Sequence, residues 1–443
     1  MFTSLPGFRE FYPEERALQN HFFDLWRRAA RRFGFHEWDA PVLEPLELFT
    51  EKSGEEIVRQ LFNFEDKGGR QVTLRPEMTP SLARLVAARA GSLRRPIKWF
   101  AIGENYRYEK QQKGRLRAFY QFNADILGEP GPAADAEIIA LCIEALRVFG
   151  LTAADFRVRL SDRTLWFLFL ESLGVPESAA VPVLAVVDKL ERTAPAELLK
   201  MMTDALAGTD CVPATVLEKV RAFVALDSLD KLEGFFGGAE EKITARLADW
   251  KALLDTLNAL GLTDFISLDL TIVRGLAYYT GFVFEAFERS GDGRALAGGG
   301  RYDALVKKLG GPDMPAVGFG MGDVTLKNLL EAKGLLPVYA DGPDFYAVIL
   351  DAAARPAALA DVALLRQAGL RTEYSFKEGK FGKLIQAAEQ AGARYALIYG
   401  PDEVAAGVVK VRDTQARQEI AVPRRELLAR LQAVLEEGIV AAG

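Results

Sequence analysis

The sequence predicts an α+β fold: a large first domain that combines a sheet with helices, followed by a small α/β domain. Three features of the chain lead to this prediction. Short strand-like segments separated by turns fill residues 35–128, and further strands follow at 265–287. The region between about 170 and 260 is helical in pattern, with few β-branched runs. From residue 343 onwards strands alternate with amphipathic helices, which indicates a largely parallel sheet.

The first domain begins with a helix. Apolar residues recur at spacings of three and four, which predicts a helix over Glu14–Gly34 that stops at the glycine. A second amphipathic helix is predicted at Ala134–Phe149. Strands are predicted at Gln71–Leu74, Ile97–Tyr106, Ala118–Leu127, Phe265–Leu270 and Gly281–Phe287. The second and third of these strands resemble a hairpin with a long, basic, glycine-containing loop.

The two domains are separated by Gly334–Gly342, which has the composition of a linker. We therefore place the first domain at 1–335, with a helical insertion at about 170–260, and the second at 343–443. The second domain is predicted to contain strands Phe345–Leu350, Arg371–Tyr374 and Ala393–Ile398, helices Pro356–Ala368 and Lys380–Ala391, and a last helix with Leu427, Leu431 and Val434 on one stripe.

Composition and charge exclude several classes of protein. With 49% hydrophobic and 26% charged residues, the 443-residue chain is neither disordered nor fibrous in character. The N-terminus lacks the features of a signal peptide and no apolar run is long enough to span a bilayer. We therefore expect a cytoplasmic protein without membrane contact. The net charge of −6 argues against indiscriminate polyanion binding, but not against a nucleic acid held by a local basic surface.

Cysteine and histidine are scarce. The two cysteines, Cys142 and Cys211, are expected to be thiols in a reducing cytosol. The two histidines, His21 and His36, lie in or beside the N-terminal helix and are expected to be structural. The sequence therefore predicts no metal site made by the protein itself.

Two clusters in the first half of the chain carry polar groups where strands are predicted. In Leu74–Pro80 (LRPEMTP), Glu77 lies between two prolines that restrict the backbone on both sides, which suits a group aimed at a ligand. In the predicted hairpin, alternation along the return strand places four side chains on one face, those of Phe119, Gln121, Asn123 and Asp125. Because most of these side chains are polar, such a face is unlike a hydrophobic core and is suited to binding a ligand.

A third cluster joins Val273–Tyr279 (VRGLAYY) to Gly298–Asp303 (GGGRYD). The hairpin loop Lys110–Arg117 (KQQKGRLR) adds four cations and no acid. Taken alone, each cluster fits a surface salt bridge or a turn as well as it fits a ligand site, and the loop fits a solvated hairpin tip.

In their order along the chain, these clusters resemble the signature of class II aminoacyl-tRNA synthetases, and specifically of the histidyl-tRNA synthetase family. Trp38–Glu44 (WDAPVLE) is similar to motif 1, and Arg107–Gln121 is similar to motif 2. LRPEMT and VRGLAYYTGFVFE are similar to stretches of the histidine enzyme and its paralogues. Residues 392–407 resemble the family's anticodon-binding module. The resemblance implies a class II antiparallel-sheet catalytic domain with a helical insertion, followed by a small α/β anticodon-binding domain.

The resemblance also implies how histidine is bound. Glu77, Thr79 and Gln121 would bind the ammonium group and position the carboxylate. Asp125 would accept from the imidazole N–H, at a position where the family pattern has glutamate. The amino-acid site is completed by Tyr278, Tyr279, Arg107 and Arg274.

For ATP, the resemblance implies that Arg107 grips the α-phosphate through its planar fork. Glu109 would accept from the adenine amino group, Phe119 would stack on the ring, and Arg115 and Gln121 would complete the nucleotide site. Mg²⁺ would share the charge of the leaving pyrophosphate.

Arg274 is the second predicted catalytic residue beside Arg107. It would lie at the α-phosphate where charge develops during attack by the histidine carboxylate. From the residues alone, an ion pair of Arg274 with Asp269 or Glu285 is an alternative.

Two macromolecular partners are implied. The acceptor end of tRNA(His) would contact the hairpin loop through Lys110, Gln112, Lys113 and Arg117, and such phosphate contacts position a strand more than they read it. Motif 1 implies a homodimer.

One segment departs from the family pattern. Motif 3 ends with an arginine for the ATP γ-phosphate, but Gly318–Thr325 (GFGMGDVT) has Thr325 there and Val324 in place of the neighbouring acid. Lys327 and Arg301 are the candidate substitutes. The departure leaves an alternative function, a paralogue that regulates the ATP phosphoribosyltransferase of histidine biosynthesis. Arg274 and the C-terminal domain, which such regulators generally lack, favour the enzyme.

Overall fold

The structure is a computed structural model that describes residues 2–50, 59–110, 114–238, 240–273, 278–290, 294–337 and 342–438. The chain divides into two compact units. Unit 1 comprises Met1–Glu10 and Gln19–Pro337, and unit 2 comprises Phe11–Leu18 and Val338–Gly443. The domain limits proposed from the sequence stay a prediction.

Unit 1 is built on a sheet that has eight strands among the described residues, in the order β1-β5-β6-β11-β10-β9-β7-β8. Its strands are β1 (His36–Glu37), β5 (Ile97–Tyr106), β6 (Ala118–Leu127), β7 (Phe156–Asp162), β8 (Ile266–Leu268), β9 (Phe282–Glu288), β10 (Ala297–Arg301) and β11 (Ala316–Gly322). The inner pairings are antiparallel, and only the edge strands β1 and β8 run parallel to their neighbours. The β5–β6 hairpin predicted from the sequence is confirmed.

The helix α1 (Pro13–Arg32) supports the far face of this sheet. Its apolar stripe places Trp26 fully out of solvent, stacked on Phe122 of β6 with 5.6 Å between the ring centroids. Because side chains alternate along a strand, Phe122 faces the helix while Gln121 and Asn123 face the other way. The helix thus fills one side of β6 and leaves the opposite side for polar groups.

Further helices of unit 1 pack around the sheet; they are α2 (Glu47–Thr50), α3 (Thr79–Arg89), α4 (Pro132–Arg147), α11 (Leu305–Lys308) and α12 (Asp323–Ala332). A small antiparallel sheet, in the order β2-β4-β3, adds β2 (Leu43–Pro45), β3 (Phe62–Glu65) and β4 (Gln71–Leu74). The helix predicted at Ala134–Phe149 corresponds to α4, most of whose residues are buried.

The predicted helical insertion is helical in the structure. It contains α5 (Arg163–Ser172), α6 (Glu177–Val187), α7 (Pro195–Ala205), α8 (Pro213–Val224), α9 (Leu229–Phe235) and α10 (Glu241–Ala259). Among the described residues no single helix is long and apolar enough to cross a bilayer. By length and composition alone, α5 and α6 pass such a test only as a pair that is bent by 116°.

A buried carboxylate joins the insertion to the sheet. Asp162, at the end of β7, accepts from two backbone N–H groups and thereby caps α5. It also accepts from Nε of Arg246 at 2.6 Å and from Nε1 of Trp250 at 2.9 Å, both on α10. Every hydrogen bond that a buried charge needs is therefore supplied at this junction. The predicted strand Phe265–Leu270 is shorter in the structure, because Thr263–Phe265 forms a 3₁₀ turn before β8.

Unit 2 contains one sheet in the order β13-β12-β14-β15-β16 among its described residues. The strands are β12 (Phe345–Ile349), β13 (Thr372–Tyr374), β14 (Tyr395–Tyr399), β15 (Val408–Asp413) and β16 (Glu419–Pro423), and the helices are α13 (Arg355–Gln367), α14 (Phe381–Gln390), α15 (Pro401–Ala406) and α16 (Leu427–Glu437). Only β12, β13 and β14 are parallel. The expectation of a largely parallel sheet was wrong, because β15 and β16 form an antiparallel hairpin that the helix–strand alternation did not reveal.

Candidate active site

The floor of the candidate site is the polar face of β6. Gln121, Asn123 and Asp125 alternate along it, as predicted, and their partners across the sheet are glycines of β11: Gly322, Gly320 and Gly318 respectively. A Cβ atom on Gly320 would lie 2.5 Å from Nε2 of Gln121, and one on Gly318 would overlap the carboxylate of Asp125. The glycines therefore make room for polar side chains on a surface that larger residues would fill.

Asp125 is held with one oxygen bound and the other open. Its Oδ1 atom accepts from the hydroxyl of Tyr302 at 2.6 Å. Its Oδ2 atom is buried and has no hydrogen-bond partner among the described residues. Burial raises the pKa of Asp125 to about 7, with the negative charge of Glu77 acting in the same direction and the Tyr302 hydrogen bond opposing it. A ligand N–H at Oδ2 would relieve this cost.

Glu77 provides a second buried carboxylate. Its Oε2 atom accepts from the hydroxyl of Tyr278 at 2.8 Å. The Tyr278 ring lies 5.1 Å from that of Tyr279 and 5.9 Å from that of Tyr302, and all three rings are buried. The site thus places two buried carboxylates, those of Asp125 and Glu77, next to three buried tyrosine rings. This arrangement favours a ligand with two groups that are cationic or carry an N–H.

The hairpin brings an arginine to an aromatic ring. Nε of Arg107 donates to the carbonyl of Pro76 at 2.9 Å, and its guanidinium lies 5.5 Å from the centre of the Phe119 ring. No described residue accepts from the two Nη nitrogens of Arg107. A guanidinium group that is held at Nε and can still donate from both Nη nitrogens suits a phosphate or a carboxylate.

Glu109 and Arg115 face each other across the base of the hairpin loop and form an ion pair. The Oε1 atom of Glu109 is buried without a hydrogen-bond partner among the described residues, so an acceptor remains for a ligand. Deeper in the hairpin, Asn105 donates to Oε1 of Gln121 at 3.1 Å and fixes that amide.

Comparison with known proteins decides the family. A family model described as histidyl-tRNA synthetase matches residues 7–325, and an anticodon binding domain model matches residues 344–434. A histidine–tRNA ligase of Opitutus terrae is 56% identical over 97% of both chains. The chain belongs to the histidyl-tRNA synthetase family. A chloroplastic/mitochondrial histidine–tRNA ligase of Arabidopsis thaliana is 38% identical over 95% of this chain and 85% of its own length.

Solved structures agree with this family assignment. The histidyl-tRNA synthetase of Nostoc sp. PCC 7120 matches with a TM-score of 0.80 and 27% identity, covering 98% of this chain and 100% of its own. A Bacillus halodurans protein described as an ATP phosphoribosyltransferase regulatory subunit/histidyl-tRNA synthetase matches with a TM-score of 0.73 and 23% identity, covering 90% of this chain and 98% of its own. The second match shows a shared fold alone, and so does not favour the regulatory function.

The α+β fold predicted from the sequence, with its separate anticodon-binding domain, is that of a histidyl-tRNA synthetase. Several predicted site residues of this synthetase fold lie together: Glu77, Asp125 and Tyr278 in one cluster, and Arg107, Glu109 and Phe119 in the adjoining hairpin. Thr79 is buried at the start of α3 and Tyr279 packs on Tyr278.

The hairpin loop is described only in part. Lys110 is exposed, and Arg117 lies over the ring of Tyr108 at 4.2 Å. Gln112 and Lys113 lie outside the described residues.

Arg274 also lies outside the described residues. Of its two alternative partners, Asp269 forms an ion pair with Arg159 at 3.4 Å and accepts from the hydroxyl of Thr271 at 2.5 Å.

Arg301 does not replace the missing motif 3 arginine. Its side chain is 5% exposed, and its Nε donates to the Asp135 carboxylate at 3.2 Å. It also donates to Asp303 and to the carbonyls of Glu129 and Gly131. Because a buried guanidinium with these partners is committed to the core, the structure excludes Arg301 from the nucleotide site.

Tyr302 borders the candidate site through its hydrogen bond to Asp125, and the sequence interpretation gave it no role. It lay in the quoted segment GGGRYD without an assigned role, 177 residues from Asp125. The sequence feature that could have revealed it is the glycine run just before it, Gly298–Gly300. Glycines in a strand leave space into which a neighbouring tyrosine side chain can extend.

Proposed function

We propose that this chain is a histidine–tRNA ligase. It activates L-histidine with ATP to give histidyl-adenylate and transfers the histidyl group to tRNA(His). The observation that carries this proposal is the pair of buried carboxylates, Asp125 and Glu77, among three buried tyrosines. The 56% identity with a histidine–tRNA ligase over 97% of both chains supports the same activity.

We assign the histidine-binding residues by matching the N–H groups of histidine to carboxylate oxygens of the site that still lack a donor. The imidazole N–H donates to Oδ2 of Asp125, which otherwise has no partner among the described residues. Glu77, Thr79 and Gln121 receive the ammonium group and position the carboxylate, and Tyr278 and Tyr279 pack against the side chain. An amino acid without a side-chain N–H would leave Oδ2 of Asp125 buried and without a donor, and a site of this kind rejects such analogues strongly.

ATP is bound at the hairpin. Phe119 stacks on adenine, the open Oε1 of Glu109 accepts from the adenine amino group, and Arg107 binds the α-phosphate. Arg115 and Gln121 border the same region. We assign Arg274 to the α-phosphate on the sequence resemblance; Tyr278, the first described residue after it, lies at Glu77.

Mg²⁺ accompanies ATP in this proposal. Among the described residues no group of three or more His, Cys, Asp or Glu side chains could hold a metal ion. Phosphate oxygens of ATP would supply ligands to Mg²⁺, as is usual for this ion. When bound, Mg²⁺ neutralises the leaving pyrophosphate.

Two contacts with tRNA(His) are proposed. Lys110, Gln112, Lys113 and Arg117 of the hairpin loop bind the acceptor end. The region that matches an anticodon binding domain, 344–434, binds the anticodon stem and loop. We place the protein in the cytoplasm.

The proposed function is tested by histidine-dependent ATP–pyrophosphate exchange, followed by charging of tRNA(His) transcripts. We expect exchange with histidine, and exchange lower by a factor of about 10⁴ with amino acids that lack a side-chain N–H, because they leave Oδ2 of Asp125 unpaired. The control is the same assay without amino acid. Preference for another amino acid would overturn the assignment, as would the absence of exchange in a folded protein that binds ATP.

We also propose a homodimer, formed through the β2-β4-β3 sheet that contains part of the motif 1-like segment. This sheet region exposes apolar side chains, with Val42, Leu43 and Phe64 at 38%, 44% and 48%. Light scattering should give about twice the chain mass of 48.7 kDa. Phe64→Lys should shift the mass towards the monomer, whereas Leu364→Lys, at a similarly exposed position on α13, should not. A monomeric wild type that is fully active would rule out this interface.

A further inference from the structure

Asn123 is the member of the polar face of β6 to which the proposed function gives no role. It lies between Gln121 and Asp125, about 7 Å from each along the strand. Asn123 is 5% exposed, and its Oδ1 atom is buried without a hydrogen-bond partner among the described residues. Leaving a buried amide oxygen without a donor is costly, so a ligand N–H at this atom would be favoured.

The amide of Asn123 lies close to the amide of Gln121. A Cβ atom placed on Gly320, the partner of Asn123 on β11, would lie 3.2 Å from Nδ2 of Asn123 and 2.5 Å from Nε2 of Gln121. Both side chains therefore extend over the same glycine. The next residue across the sheet is Gly298 of β10, which pairs with Gly320. Because neither glycine has a side chain, the sheet beside Asn123 has room for a small ligand over two successive strands.

The two amides offer different groups to a ligand. Asn105 donates to Oε1 of Gln121 at 3.1 Å, so the atom of Gln121 that lies over Gly320 belongs to its NH2 group. An NH2 group donates, which suits the carboxylate of an amino acid. An ammonium group carries three N–H bonds and needs acceptors instead. Oδ1 of Asn123 is such an acceptor, one position further along the same face.

The neighbours of Asn123 indicate which group of histidine it meets. In the proposed function Oδ2 of Asp125 takes the single N–H of a neutral imidazole, and the NH2 group of Gln121 serves the carboxylate. An amino acid that extends from Gln121 to Asp125 crosses over Asn123, and its remaining donor is the ammonium group. Glu77, which is assigned to the same ammonium group, is close enough to Asp125 for its negative charge to raise the pKa of that carboxyl.

We propose that Asn123 is a further histidine-binding residue whose Oδ1 atom accepts a hydrogen bond from the ammonium group of the amino acid. This inference rests on the proposed function, because it concerns the histidine whose imidazole is assigned to Asp125. Together with Glu77 and Thr79, Asn123 provides three acceptors for the three N–H bonds. A neutral amide adds an acceptor without placing a third negative charge beside two buried carboxylates.

The test compares three ligands on the full-length protein by titration calorimetry: L-histidine, histidinol, which lacks the carboxylate, and imidazolepropionate, which lacks the ammonium group. We expect Asn123→Ala to raise the Kd for histidine and for histidinol by about ten- to hundredfold, the range for losing a hydrogen bond to a charged group. The Kd for imidazolepropionate and for MgATP should change by less than about twofold, because neither ligand has the ammonium group. Asn123→Leu, which removes both polar ends of the amide and keeps most of its volume, should show the same pattern.

Two further variants serve as controls, with melting temperatures recorded for all of them. Asn123→Asp keeps an acceptor at the same atom and should bind histidine more tightly than Asn123→Ala. Asn20→Ala, at an exposed asparagine on α1, should leave every affinity unchanged.

Three results would overturn the inference while pyrophosphate exchange by the wild type still upheld the proposed function. A loss for histidine but not for histidinol would mean that Asn123 donates to the carboxylate. An equal loss for all three ligands would mean that it contacts the imidazole or only supports the strand. Wild-type affinity for histidine in folded Asn123→Ala would remove it from the site. A wild type that binds no histidine would overturn both proposals.

Discussion

Replacing Asp125 by Asn should reduce histidine-dependent pyrophosphate exchange by at least about a thousandfold in a folded protein. The carboxylate is buried, and only Tyr302 donates to it among the described residues, so its Oδ2 atom is the acceptor for the substrate imidazole in our proposal. An asparagine whose oxygen accepts from Tyr302 turns its NH2 group towards the substrate N–H, so two donors meet where an acceptor is needed.

The same substitution should stabilise the protein relative to wild type as the pH rises. Burial raises the pKa of Asp125 from 3.8 to about 7, so between these pH values the folded protein keeps a proton that the unfolded chain releases. The free energy of unfolding therefore falls as the pH increases through this window, and asparagine avoids that fall. Between pH 5 and pH 8 the free energy of unfolding of the wild type should fall by roughly 3 kcal/mol relative to that of Asp125→Asn. The fall accumulates over the two pH units between pH 5 and the folded pKa of about 7.

Two further variants separate recognition from folding. Asp125→Glu keeps the charge, matches the family pattern and should retain measurable exchange. Tyr302→Phe removes the hydrogen bond to Oδ1 and should weaken histidine binding while leaving MgATP binding unchanged. Urea unfolding at pH 5 and pH 8 measures the stability difference. If folded Asp125→Asn exchanged pyrophosphate at the wild-type rate, the carboxylate would have no part in choosing histidine.

Replacing Arg107 by Ala should lower the rate of adenylate formation by about a hundred- to a thousandfold, equivalent to about 2.7–4 kcal/mol. Nε of Arg107 is fixed by the carbonyl of Pro76, and Phe119 lies beneath the guanidinium. A donor held in this way needs no reorganisation when negative charge develops on the α-phosphate. Arg107→Lys should be nearly as slow, because a point charge cannot reproduce the fork.

The measurement is steady-state pyrophosphate exchange, with melting temperatures recorded for each variant. A loss in kcat with a small change in KM would indicate an interaction made mainly in the transition state. Arg70→Ala is the control, since Arg70 is exposed and, among the described residues, pairs with Asp66 alone in a surface turn. A folded Arg107→Ala protein within about threefold of the wild-type rate would remove Arg107 from the mechanism.

Local periodicity in the sequence determined the pieces of the site. Alternation along Ala118–Leu127 correctly placed Gln121, Asn123 and Asp125 on one face of β6, because side-chain direction in a strand depends only on position along it. The spacing of apolar residues likewise located α1 and α4. The ordered motifs were enough to assign the family before any contact was known.

Only the tertiary structure decided which of these pieces meet. The pairing of β6 with β11 sets glycines opposite the polar face, and Tyr302 reaches Asp125 across 177 residues of sequence. The fold also takes Arg301 into the core, where its guanidinium pairs with Asp135. Strand order in a mixed sheet depends on contacts between segments that are distant in sequence. The side-chain periodicity of a strand (two residues) or of a helix (3.6 residues) carries no information about those contacts.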